Sequence, residues 1–96
     1  MHFHIFIESL SQTSPPDNLS LPLQALWYDA KEDWHTAHDL INDLEDKNSA
    51  WVHAYLHRKE GDTGNAGYWY RRGGKSPSNL SLKDEWTELA KALSAG

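Results

Sequence analysis

The sequence contains no cysteine, and this absence removes several classes of function at once. None of its 96 residues can form a disulfide, supply a thiolate ligand to zinc or act as a thiol nucleophile. No apolar run approaches the roughly 20 residues that a membrane-spanning helix requires. The N-terminal stretch MHFHIFIESL lacks a basic head and a clear small-residue cleavage site, so we expect no signal peptide and a cytoplasmic location.

The chain also lacks an excess of basic residues. Nine lysines and arginines oppose fourteen aspartates and glutamates, which gives a net charge of −5. The charge is uneven, because the first half of the chain is strongly acidic whereas residues 51–75 carry a small basic surplus. That segment either pairs with its own chain or meets an anionic partner. A nucleic-acid-binding protein normally carries a larger basic surplus, which argues against that class.

Recognisable catalytic motifs are missing as well. No Ser-His-Asp arrangement or paired carboxylate pattern is present. The glycines of GDTGNAG neither follow a strand nor precede the lysine of a phosphate-binding loop. We therefore predict no catalytic residue and no cofactor, and we favour a binding protein over an enzyme.

The sequence is rich in tryptophan, with five in 96 residues, and in helical periodicity. Apolar residues recur three or four positions apart in five segments, which predicts five helices and no sheet. Each helix is preceded by a residue that can accept a hydrogen bond from a free backbone N–H of the first turn. These predicted caps are Ser20, Asp33, Ser49, Asp62 and Ser81. The fold class is therefore all-α.

The first residues do not share this periodicity. MHFHIFI alternates histidine with Phe3 and Ile5 in the manner of a strand, yet no partner strand follows. A lone strand is unstable. We therefore predict an extended or flexible arm over residues 1–19 that is disordered, packs against the domain or forms a homodimer by pairing with a second copy. Residues 20–96 form the single folded domain.

Two segments 29 residues apart share a pattern. The matching pairs are Ala25 with Ala54, Asp33 with Asp62, and Ala37 with Ala66. Small alanines let paired helices approach closely, and the aspartate restarts the second helix of each pair, as in helical repeats. The sequence therefore predicts two antiparallel helical hairpins, with a last helix from Leu82 to Leu93 that caps the open end.

The two copies, ALWYDAKEDWHTAHDLI and VHAYLHRKEGDTGNAGYWYRR, resemble tetratricopeptide or Sel1-like repeats over about residues 21–74. Their period of 29 is shorter, and Glu32 and Thr63 stand where those families have a glycine and an aromatic residue. More narrowly, WVHAYLHRKEGD and YWYRR are similar to a group of short bacterial proteins, a likeness that implies no mechanism. The repeat resemblance implies a protein- or peptide-binding module of the adapter kind.

That resemblance also implies a groove lined by the first helix of each hairpin. In the second hairpin this helix presents rings and cations in one row, which are side chains that often anchor a partner. The predicted ligand-binding residues are Trp51, Tyr55, Arg58 and Lys59, with Arg71 and Arg72 as further surface candidates. The alternative for the two rings is that they belong to the core.

Histidines provide the other candidate site. His53 and His57 lie four residues apart, a spacing that lets two imidazoles on one side of a helix share a metal ion. A third ligand has to come from elsewhere, and His35, His38 and Asp39 form a separate candidate on the preceding helix. From the sequence we favour structural, hydrogen-bonded histidines and predict no metal. A small metal- or anion-binding protein, including a nucleic-acid-binding one, remains the alternative.

Overall fold

The computed structural model describes residues 2–94, and six helices make up its architecture over that range. They are α1 (Phe3–Ser9), α2 (Leu21–Ala30), α3 (Trp34–Ile41), α4 (Lys47–Lys59), α5 (Thr63–Arg72) and α6 (Leu82–Ser94). Because residues 2–94 contain no strand, the all-α prediction is confirmed. Within the same range no helix has the length and the apolar character needed to cross a bilayer.

Four of the five predicted caps are confirmed by hydrogen bonds. The side-chain oxygens of Ser20, Asp33, Asp62 and Ser81 accept from backbone N–H groups three residues on, at 3.1–3.4 Å. The third cap was misplaced, because α4 begins earlier than expected. Asp46 caps it by accepting from the N–H of Ser49 at 3.0 Å, and Ser49 is buried inside the helix.

Helix α2 packs on α3 and α4 packs on α5, and the turns within these two pairs share one geometry. That the pairs are copies of one repeat stays a prediction. Glu32 (φ 64°) and Gly61 (φ 88°) both adopt the left-handed conformation. In each turn the following aspartate N–H donates to a carbonyl five residues back, at 2.9 Å, which is the Schellman hydrogen bond. The turn therefore forms in the first copy without the glycine that favours it.

Helix α4 occupies the centre of the fold, because it contacts α2, α3, α5 and α6. Every residue from Ser49 to Leu56 is buried. Polar side chains of this helix are therefore forced into contact with neighbouring helices on more than one side.

Helix α6 does not take the predicted position at the end of the array. It packs against α1, α2 and α4, and so covers the two helices that were expected to line a groove. Leu89 and Ala90 are fully buried, and the indole N–H of Trp86 donates to the carbonyl of Leu26 at 3.0 Å. In this position the apolar stripe of α6 is covered by three helices.

The prediction of an extended or flexible N-terminal arm is wrong for residues 3–9, which form α1. Residue 1 of that segment lies outside the described residues. Phe6 is fully buried and stacks on Trp86 with ring centroids 6.0 Å apart. The residues of this segment also fit a helical pattern, because Phe3, Phe6 and Leu10 recur three or four positions apart. All three pack on the core. Ile5 is 44% exposed, so pairing with a second copy through this segment stays a prediction.

Candidate metal centre

Three histidines from two helices meet in one cluster. His38 of α3 lies against His53 and His57 of α4, and one ring nitrogen of each lies within 4.8 Å of the others. The Nε2 atoms of His38 and His53 are 3.1 Å apart. The two histidine candidates of the sequence thus become one site, to which His35 and Asp39 of α3 do not contribute.

The backbone explains why these side chains meet. Residues four apart on α4 lie on one side of the helix, which stacks His53 on His57 with centroids 4.8 Å apart. The short connection over residues 42–46 turns α3 back onto α4, and this places position 38 opposite position 53. The cap of Asp46 fixes where α4 starts and therefore which residues face α3.

Two tryptophans form walls of the cluster. Trp34 stacks on His38 with centroids 4.8 Å apart, and Trp69 stacks on His53 at 3.9 Å. The indole N–H of Trp34 donates to the carbonyl of Leu56 at 2.9 Å, which fixes that ring. The two indoles therefore restrict the rings of His38 and His53 before any ligand arrives.

The surroundings keep His38 and His53 uncharged. Burial, followed by the nearby rings of His38 and His57, lowers the pKa of His53 to about 4. Burial also lowers the pKa of His38, with a smaller contribution from His57. Neutral imidazole is the form that coordinates a metal ion. The contact between the two Nε2 atoms is itself a hydrogen bond, so the donating ring has to carry its proton on Nδ1 before both Nε2 atoms can bind one ion.

Glu60 orients the third histidine. Its Oε1 lies 2.6 Å from Nδ1 of His57. An ionised carboxylate can only accept, so Nδ1 carries the proton and the lone pair of the ring is on Nε2. A carboxylate behind a histidine in this way is the usual outer partner of a metal ligand, because it fixes the tautomer and raises ligand basicity.

The spacing of the nitrogens suits a small divalent ion. Zn–N bonds of about 2.0–2.1 Å in a tetrahedral site place ligand nitrogens roughly 3.3 Å apart. The 3.1 Å separation between His38 and His53 is already close to that value. Because all three nitrogens lie within 4.8 Å, the largest closing movement is about 1.5 Å, which side-chain rotation can supply. Three protein nitrogens leave a fourth coordination position for a solvent or partner ligand.

His53 also has an unsatisfied polar atom. Its side chain is 2% exposed, and Nδ1 has no hydrogen-bond partner within residues 2–94. A buried unsatisfied group costs about 1–3 kcal/mol. Phenylalanine would fill similar space without that penalty, so packing alone does not account for an imidazole here.

The predicted groove residues lie on the other side of α4 and are engaged within the protein. Tyr55 is 3% exposed and donates to Asp29 Oδ2 at 2.9 Å, while Lys59 donates to Asp29 Oδ1 at 2.9 Å. Arg58 donates to Glu85 of α6 at 2.8 Å and also to the carbonyl of Leu80. The structure therefore places these three side chains in polar contacts that join α4 to α2 and α6.

The remaining predicted residues lie apart from this network. Trp51 is 8% exposed, and the ammonium of Lys75 lies 4.2 Å from its ring centroid. Arg71 is exposed, and Arg72 donates to the hydroxyl of Tyr68 at 3.0 Å. Arg72 also approaches Trp69, which is the only link between these surface cations and the histidine cluster that the described contacts show.

Sequence reasoning placed His38 in a separate candidate and missed the roles of Glu60, Trp34 and Trp69. An available signal was the short loop between α3 and α4, because antiparallel pairing about that loop sets residue 38 beside residue 53. The tryptophans had no such signal, since an aromatic residue at helical spacing is more often part of a core.

Comparison of the chain with protein-family models, with curated proteins and with solved structures finds no match. The resemblance to tetratricopeptide and Sel1-like repeats therefore stays a prediction. The geometry of the histidine cluster is the feature that points to a function.

Proposed function

We propose that the protein binds a divalent ion of the zinc, copper and nickel group through His38, His53 and His57. The observation that carries the proposal is the convergence of three ring nitrogens within 4.8 Å. Imidazole suits these ions, whereas calcium and magnesium prefer oxygen ligands. The carboxylate of Glu60 behind His57 supports the same assignment.

The position of the ion gives it a structural consequence. His38 belongs to the first hairpin, whereas His53 and His57 belong to the second. One ion therefore joins the hairpins, and its binding free energy adds to the stability of their contact. In this proposal the protein is a small helical module. A metal ion with one exchangeable ligand stabilises the interface between its two hairpins.

Thermal denaturation with and without Zn²⁺ tests the proposal. A ligand at a hundred times its Kd stabilises the folded state by about 2.7 kcal/mol, which corresponds to a Tm increase of roughly 10 °C or more in a chain of this length. His38→Gln and His57→Gln should each abolish most of the increase. His35→Gln is the matched control, because His35 lies on the same helix, is exposed and is outside the cluster.

All variants are best compared in a chain carrying His2→Gln and His4→Gln, since both of these histidines are exposed and can hold metal by themselves. Cu²⁺ adds a spectroscopic measurement, because a paramagnetic ion at the cluster should quench the emission of the stacked Trp34 and Trp69. A Zn²⁺ effect that is absent, or that is equal in His38→Gln and His35→Gln, would show that the histidines are structural only.

A second candidate is binding of an acidic protein or peptide segment, which an exposed surface on α5 favours. Tyr68 is 42% exposed, and the guanidinium of Arg72 lies 5.8 Å from its ring centroid. Arg71 is exposed next to it. Rings and arginines in this arrangement are common at partner surfaces. Binding in the predicted groove of Trp51, Tyr55, Arg58 and Lys59 is less favoured, because it requires α6 to move.

Fluorescence anisotropy with a labelled glutamate-rich peptide tests this candidate. We expect binding that the double substitution Arg71→Gln, Arg72→Gln abolishes. A labelled single-stranded oligonucleotide is the competing probe. Binding of the oligonucleotide that weakens steeply with salt, with no binding of the peptide, would replace the peptide hypothesis with a nucleic-acid one.

A further inference from the structure

A cavity of ≈ 280 Å³ lies where α2 ends, between α4 and the first turn of α6. It is independent of the histidine cluster, since none of the three histidines lines it. Small-molecule sites usually measure about 300–1,000 Å³, so this cavity lies just below that range and suits only a small ligand.

A buried carboxylate forms the floor of the cavity. Asp29 is 1% exposed, and its two oxygens accept from Tyr55 and Lys59, each at 2.9 Å. A charge buried this completely must be compensated, and both partners come from α4. The hydroxyl of Tyr55 stays protonated, because burial and then Asp29 raise its pKa. The floor is thus a fixed hydrogen-bonding surface.

The rim adds one more charge of each sign. Glu32 and Lys83 both line the cavity and are both exposed. Together with Asp29 and Lys59 they give the lining two acids and two bases, with no net charge. For a simple anion or a simple cation, attraction to the residues of opposite charge is therefore offset by repulsion from the residues of like charge.

The remaining wall is apolar and fixed. Trp86 presents its ring to the cavity, and its indole N–H is held by the carbonyl of Leu26 at 3.0 Å. Leu82 and Ala30 continue this wall. An apolar group against a fixed ring gains affinity without the entropy cost of ordering that wall.

We propose that this cavity binds a small zwitterionic ligand of the α-amino-acid class. Its ammonium group pairs with Glu32 and its carboxylate with Lys83, and its apolar side chain packs on Trp86. The pair of Asp29 and Lys59 stays intact beneath the ligand, because a carboxylate that is 1% exposed cannot lose its cationic partner without a large cost.

Matched ligands test the charge requirement. Leucine, methionine, phenylalanine and valine are titrated into the protein by calorimetry, together with 4-methylpentanoate and 3-methylbutylamine, which each keep one charge of leucine. The ¹⁵N-resolved indole signal of Trp86 is followed in parallel. We expect at least one amino acid to bind and to shift that signal, and each single-charge analogue to bind at least tenfold more weakly than leucine or not at all.

Rim substitutions locate the ligand. Glu32→Gln and Lys83→Gln should each weaken binding at least fivefold, whereas Lys47→Gln, at the opposite end of α4, should not. Both rim residues are exposed, so the variants should fold, which circular dichroism checks. The proposal is overturned if no amino acid binds at 10 mM, if an analogue binds as tightly as leucine, or if binding leaves the Trp86 signal and the rim variants unaffected.

Discussion

Helix α4 carries two polar clusters on opposite sides, and they differ in how completely their polar atoms are satisfied. Toward α2 and α6, Tyr55, Arg58 and Lys59 meet the buried carboxylates Asp29 and Glu85, and each carboxylate has two donors. Toward α3 and α5, three imidazoles crowd together and one buried nitrogen has no partner in the part of the chain that is described. In the carboxylate cluster the donors compensate the buried charges, which stabilises the fold. In the histidine cluster the unpaired nitrogen has no such compensation among the described residues, so stability does not explain it.

The carboxylate side shows what burial of charge demands. Glu85 is fully buried and accepts from Arg58 at 2.8 Å and from the hydroxyl of Tyr70 at 2.5 Å. Burial, followed by the contact with Glu85, raises the pKa of Tyr70, so its hydroxyl remains a donor. Aromatic and basic residues that look like a binding surface in the sequence are here the compensation for two buried acids.

The largest expected effect comes from removing a partner of the buried charge. Arg58→Ala leaves Glu85 with only the Tyr70 hydroxyl and should lower the free energy of unfolding by about 3–5 kcal/mol. Urea denaturation measures the loss. Arg71→Ala is the control, because Arg71 is exposed, and it should change stability by no more than about 0.5 kcal/mol. Equal effects of the two substitutions would remove the contrast between the two sides of α4.

A pH titration of stability probes the histidine side. The pKa of His53 is about 4 in the folded protein, whereas an unfolded histidine titrates near about 6.5. Between these values the unfolded chain binds a proton that the native chain does not. The free energy of unfolding should therefore fall as pH falls, by about 2 kcal/mol from pH 7 to pH 5 and about 3 kcal/mol by pH 4. His38, whose pKa is also lowered, acts in the same direction.

Urea denaturation without metal at pH 7.5, 6 and 5 gives this slope. His53→Phe should remove most of it and leave a smaller slope from His38, because the substituted ring cannot be protonated. Above pH 7 His38 and His53 are almost wholly neutral in both states and should contribute little slope. Should wild type and His53→Phe show the same pH dependence, His53 is not the neutral, buried imidazole that the cluster requires.

A milder change to the carboxylate side removes one neutral donor. Tyr70→Phe leaves one lone-pair site of Glu85 without its hydroxyl and should cost about 1–2 kcal/mol. Tyr68→Phe is the matched substitution on the same helix, and Tyr68 is 42% exposed. Tyr68→Phe should change the free energy of unfolding by close to zero in the same denaturation experiment. If the two losses are equal, the hydroxyl of Tyr70 does not compensate the buried charge.

Local physics made much of the fold predictable. Helix starts follow from cap residues, and the two equivalent turns follow from the aspartates at 33 and 62, because both effects act within a few residues. The position of α6 was not predictable in the same way. Its apolar stripe shows that it packs on something, but only the three-dimensional arrangement decides which helices it covers.

In the candidate site, too, local features could be predicted from the sequence and features that depend on the tertiary arrangement could not. The spacing of His53 and His57 is local and was visible in the sequence, whereas the arrival of His38 depends on how α3 folds back. The internal partners of Tyr55, Arg58 and Lys59 were not visible in the sequence for a related reason, since Asp29 and Glu85 lie 26–30 residues away from them. Binding by these residues stays a prediction. The alternation at residues 3–7 fits both a strand and a helix, and burial of Phe6 decided between them.

The smallest expected change in stability, and the sharpest test of function, is Glu60→Gln. Glu60 is exposed, so the free energy of unfolding should shift by no more than about 0.5 kcal/mol. Metal affinity should nevertheless fall 10- to 100-fold, because an amide is a weaker acceptor for Nδ1 of His57 than a carboxylate and leaves its Nε2 less basic. Zn²⁺ competition against a chromophoric chelator measures that affinity. Glu8→Gln is the control, because Glu8 is an exposed acid on α1, a helix that within the described residues contacts α6 and none of the helices of the cluster. An effect on stability without one on affinity would make Glu60 a helix-end contact rather than the outer partner of a metal ligand.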